Sequence, residues 1–187
     1  DAHYTLGLVH EALGDSKAMI AAFLRAREAD LALAPVAWAP SRAAFEELVR
    51  AAIMRLPPPL KAALENAELF IVELPGAEVI ADGVDPRTSA LLDTQDRVRS
   101  ALTGKPASDA KDAKDANDAK DASGPCVSRV FFYQRNTERA VEDAAGLNDE
   151  IYLALEEELC AAFPELAPHA TRLGEDDEAD EDDEGEH

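Results

Sequence analysis

The 187-residue sequence holds only two cysteines, one tryptophan and two methionines, and aromatic residues make up 5% of it. Cys126 and Cys160 provide neither a disulfide framework nor the paired spacing of a zinc ribbon, so both read as reduced thiols. Basic residues are scarce too: 18 Lys and Arg stand against 39 Asp and Glu, a formal charge of −21. That balance argues against a nucleic-acid backbone or an anionic membrane as partner. No stretch approaches the roughly 18 uninterrupted apolar residues that a membrane span needs. The N-terminus has neither a basic n-region nor an apolar h-region, and a cytoplasmic setting is the expectation. A Gly-rich phosphate loop, a G-x-S-x-G elbow and a cysteine with a nearby histidine are also missing. The first residue is Asp1, inside a helical pattern, which suggests a piece of a longer protein.

What is present suffices for one ordinary domain with appendages, since 47% of the residues are hydrophobic. Ten of the acidic residues lie in Glu175–His187, yet Asp1–Gly174 still carries −11. That tail is expected to be disordered, and one function open to it is capture of basic proteins or divalent cations. Residues 104–125, GKPASDAKDAKDANDAKDASGP, contain no aliphatic side chain larger than Ala. Nothing there offsets the entropy of ordering, so a disordered insert is expected.

The clearest helical signal is Asp149–Phe163, DEIYLALEEELCAAF. Ile151, Leu155, Leu159 and Phe163 recur every four residues and define a buried face, and the opposite face carries Glu156, Glu157 and Glu158. Phe45, Leu48, Val49, Ala52, Ile53 and Leu56 predict a second helix over Arg42–Leu56, and Pro57-Pro58-Pro59 ends it. Leu60–Asn66 reads as a short helix or turn. The β-branched and aromatic runs Glu68–Leu74 and Val127–Gln134 predict strands. Val79–Leu102 reads as loop with a possible short helix, and Asn136–Ala145 as a helical segment before a turn and N-cap at Gly146–Asp149. Arg135 and Arg139 are expected to form structural ion pairs with Glu138, Glu142 or Asp143. His3 and His10 read as packing or surface residues, and Trp38 as packing on a neighbouring helix.

Residues 1–32 form two amphipathic segments about a turn at Gly14-Asp15, and Leu6-Gly7, Leu13-Gly14, Phe23 and Ala26 fall at the spacing of a tetratricopeptide repeat. The segment resembles one such repeat, with His10, Met19 and Leu31 departing from its usual residues; a generic helical hairpin is the other reading. A single repeat cannot bury its hydrophobic face, so a groove for a protein or peptide partner is expected here. Residues 33–41, with Pro35 and Pro40, read as a linker.

From Phe45 to Phe163 the order FEELVRAAIMRLP, ELFIVELP, Asp85-Pro86, VFFYQRNTERAVED and EIYLALEEELCAAF resembles a family of very small bacterial zincin-like metallopeptidases. The resemblance implies an α+β fold: a small zincin-like domain over 42–174, helices plus a short sheet, preceded by the hairpin. In that family the last helix carries His-Glu-x-x-His, whose two histidines share one helical face on zinc while the glutamate activates the metal-bound water. The implied correspondence puts Glu157 and Ala161 where the histidines stand and Glu158 at the general base. The expectation is therefore a non-catalytic relative with no cofactor, in which Glu158 is a vestigial general-base position. The alternative is a divergent zinc metallopeptidase with substitute ligands, for which Glu156, Glu157, Cys160 and His169 are the candidates.

Overall fold

The computed structural model describes residues 1–94 and 126–170. The insert at 104–125, the tail at 175–187 and the stretch 95–102 lie outside them. Chain order runs α1 (Ala2–Ala12), α2 (Ser16–Ala32), α3 (Arg42–Arg55), α4 (Pro58–Ala63), β1 (Glu68–Val72), α5 (Ala77–Ala81) and β2 (Ala90–Thr94). It continues with β3 (Val127–Tyr133), α6 (Gln134–Ala140), α7 (Leu147–Ala162) and a 3-10 turn over Pro164–His169. The fold is thus α+β.

The hairpin closes where Gly14 takes a left-handed φ of 71° and the Asp15 side chain caps α2 by accepting from the Ala18 amide. Gly7 is the point of closest approach, because a β-carbon there would run into the Phe23 ring. On α2 the buried residues Met19, Ala22, Phe23, Ala26 and Asp30 form one helical stripe. Met19 and Phe23 meet Ile80 of α5, so the hairpin shares a small core with the rest of the chain. The outer side of α1 stays open: Leu6, Val9 and Leu13 are 44%, 48% and 74% exposed.

The sheet order is β1-β3-β2, with β1 parallel and β2 antiparallel to β3. Register aligns Ile71, Phe132 and Ala90 across it, and Val130 with Leu92; this row of side chains is buried against Phe45, Val49 and Ala52 of α3 and Ile151, Leu155 and Leu159 of α7. That is the main core, and burying its Leu, Ile, Val and Phe side chains contributes about 1.5–3 kcal/mol each. Phe163, at the end of the α7 stripe, is only half-buried, while Trp38 packs on this core as expected.

Several expectations change. The stretch expected to be loop contains α5 and the edge strand β2; Ala-Leu-Leu-Asp-Thr has weak strand propensity and is extended because it pairs with β3. The helix after β3 begins at Gln134 and ends at Ala140, two residues early and five short of the expected Asn136–Ala145. α7 starts at Leu147 after Gly146, because Leu147 is drawn into the main core. The proline run both ends α3 and opens α4, with Pro58 at its first position, where no amide is needed.

Arg135 and Arg139 do not pair with their helix neighbours. Arg135 donates to the carbonyls of Leu31 and Leu33, and Arg139 donates to the Asp30 carbonyl at 2.8 Å and lies 3.6 Å from its carboxylate. These groups sit at the C-terminal end of α2, where helix carbonyls lack partners and the dipole favours cations. Gln134 reaches the Pro40 carbonyl at 3.0 Å, and Asn136 donates to the carbonyls of Pro86 and Thr88 at 2.9 and 2.8 Å. The polar side chains of QRNTER therefore hold the α2 end, the linker and the 86–88 loop around one short buried helix.

Candidate functional site

Along α7, one wall of a cleft of about 680 Å³ is formed by Glu150, Leu153, Glu157 and Cys160; Thr88 and Ser89, which lead into β2, form the other. Ser89 donates to Glu150 across it at 3.3 Å. Helical spacing explains the α7 wall, since 150, 153, 157 and 160 lie on successive turns of one face. The sheet supplies the facing wall because β2 is the strand next to α7.

The three successive carboxylates do not share one environment. Glu156 is only 7% exposed and accepts a hydrogen bond from the Tyr152 hydroxyl at 3.0 Å, which corrects its placement on a solvated face. Tyr152 lies one turn earlier, and together they fill the boundary between the core stripe and the cleft. Glu157 is exposed and Glu158 half-buried, and both border the cleft. Burial pushes the Tyr133 hydroxyl up to about 12, helped by the Glu78 and Glu158 carboxylates. The Cys160 thiol is raised by burial and then by Glu156, which disfavours the nucleophilic thiolate.

Ala161, on the same helix, is exposed and carries no donor. His169 is exposed on the 3-10 turn and does not border the cleft, although Ala167 and Ala170 beside it do. Among the described residues no three His, Cys, Asp or Glu side chains come together in a way that could hold a metal ion. Glu156, Glu157, Cys160 and His169 therefore do not assemble a substitute zinc site here. Among the described residues this donor set does not fit zinc. His3 is exposed, and His10 is half-buried with its Nδ1 enclosed and unbonded.

Sequence reasoning missed a second polar centre. Asp30, 5% exposed, receives Arg87 through Nε at 3.1 Å and Arg139 at 3.6 Å. Arg87 also lies 4.4 Å over the Tyr4 ring, and the Tyr4 hydroxyl donates to Asp85 at 2.7 Å. The only local signal is that Asp30 continues the spacing Met19, Ala22, Phe23, Ala26, so a carboxylate falls on an apolar stripe. No helix among the described residues is long and apolar enough to cross a membrane. Comparison of the chain with protein-family models, with curated proteins and with solved structures gives no match.

Proposed function

We propose that this protein is a non-catalytic, zincin-like interaction protein that holds a protein or peptide partner on its tetratricopeptide-like hairpin. The observation that carries the reading is on α7: Glu157 and Ala161 occupy the places the resemblance assigns to the zinc histidines, and Ala161 has no donor atom. A general base needs an activated water, so Glu158 alone does not make a hydrolase. The exposed side of α1 supports the other half of the reading. Leu6, Val9 and Leu13 lie at the 3-4 spacing of a helix that packs on another element, and exposed apolar rows of this kind mark interaction surfaces.

Two measurements test it. Metal analysis of the purified chain should find zinc well below one per molecule. Stoichiometric zinc lost on Glu157→Ala or Cys160→Ala, or chelator-sensitive peptide cleavage lost on Glu158→Gln, would replace this reading with that of a divergent zinc metallopeptidase. Affinity capture should lose its partner when Leu6, Val9 and Leu13 are changed together to Glu, while helicity stays intact. Equal capture by both chains would remove the hairpin from the function.

A further inference from the structure

Asp85–Ala90 touches three parts of the molecule in succession. Its first half grips the hairpin: Asp85 accepts from Tyr4 at 2.7 Å, and Arg87 binds Asp30 at 3.1 Å and stacks on the Tyr4 ring. Its middle is held from below, where Asn136 takes the carbonyls of Pro86 and Thr88, and Asp85 itself receives the Arg87 amide at 2.7 Å. Its second half forms the wall of the cleft. There the Ser89 carbonyl accepts from the Tyr133 amide at 2.9 Å, the Ser89 hydroxyl reaches Glu150 at 3.3 Å, and Thr88, Ser89 and Ala90 face the Cys160 side of α7. A six-residue segment thus touches both the hairpin and the cleft, alongside α6, whose Arg135 and Arg139 hold the end of α2.

We infer that Asp85–Ala90 is a clasp through which the hairpin sets the width of the α7 cleft. Asp30 is the positioning residue. Its buried carboxylate is shared by Arg87 and Arg139, and Arg87 also reaches the exposed Asp1 carboxylate at 2.8 Å, so losing the Asp30 charge removes the one buried anchor the two guanidiniums have in common. Arg87 then keeps only the exposed Asp1 carboxylate and the Tyr4 ring, a looser hold that lets the 86–88 backbone move with it, because one residue cannot shift in a tight turn without its neighbours. A partner that pulls the end of α2 away opens the cleft by the same route, and one that seats the hairpin keeps it closed.

The test compares the full chain with Asp30→Asn, which keeps the shape and drops the charge, and with Tyr4→Phe, which removes only the bond to Asp85. Hydrogen exchange by mass spectrometry follows the 84–92 peptide with the α3 peptide as control, and iodoacetamide labelling follows Cys160. The expected result for Asp30→Asn is about tenfold faster exchange at 84–92, the factor equivalent to about 1.4 kcal/mol of lost local stability. Cys160 should label faster in step, and α3 should be unchanged. Tyr4→Phe should give the same pattern with a smaller factor, which keeps the test decisive if Asp30→Asn does not fold. Unchanged exchange at 84–92, unchanged Cys160 labelling, or acceleration shared equally by α3 would each overturn the clasp.

Discussion

Replacing Asn136 by Ala tests whether QRNTER is a structural staple. Asn136 is 5% exposed, and its amide nitrogen donates to Pro86 at 2.9 Å and Thr88 at 2.8 Å. Each lost bond removes about 0.5–1.5 kcal/mol net, and a carbonyl left buried without a donor costs about 1–3 kcal/mol. Pro86 is buried, so its carbonyl bears that larger cost; Thr88 is half-buried, so water can partly replace the amide there. The sum is a loss of about 2–4 kcal/mol, which for a chain of this length lowers Tm by roughly 5–15 °C. Asn136→Asp has the same shape but presents acceptors to two carbonyls, so near neutral pH it should cost more than Ala. The gap between the two variants should narrow on acidification, as a protonated carboxyl regains one donor. Urea denaturation followed by circular dichroism measures both. A loss below about 0.5 kcal/mol for Ala, the range of ordinary surface changes, would refute the reasoning, as would an Asp variant milder than Ala at neutral pH.

Gly7→Ala sets two effects against each other. Ala is favoured in a helix by about 1 kcal/mol, but the added methyl meets the buried Phe23 ring, and overpacking costs about 1–3 kcal/mol. A net loss near 1 kcal/mol is expected, relieved in the double variant with Phe23→Leu; stabilisation by Gly7→Ala alone would mean that the helices are not in close contact. Alkaline titration offers an independent check, because burial and then the bond to Asp85 push Tyr4 up to about 12, as burial does for Tyr133. Folded chains hold these protons after unfolded ones have lost them, so stability should fall as pH rises from about 10 to about 12. Ultraviolet absorbance should show Tyr4 and Tyr133 ionising late, and Tyr4→Phe should remove one late component; ordinary titration of both would contradict the packing around Tyr4 and Tyr133.

The strong periodicities carried over into structure. The stripe Ile151, Leu155, Leu159, the α3 row from Phe45, the strands at Glu68 and Val127 and the Gly14 turn each depend on residues within a few positions of one another. β2 was illegible because Ala and Leu suit a helix equally well, and its extension comes from register with a strand more than thirty residues on. At the cleft, the sequence placed Glu156, Glu157, Glu158 and Cys160 on one helix, but not the burial of Glu156 under Tyr152, which depends on how α7 is rotated against the sheet.

The amino-acid sequence by itself determined that two α-helical segments pack as a hairpin, that a mixed α and β unit follows, and that Glu156, Glu157, Glu158 and Cys160 share one helix. These are matters of residue type and spacing along one stretch. Tertiary structure alone decided that Arg139 serves Asp30 across 109 positions and Asn136 serves Thr88 across 48. It also decided that the hairpin shares a core with α5. A guanidinium accepts any nearby oxygen, so its partner is set by which oxygen the folded chain brings within reach and shields from water.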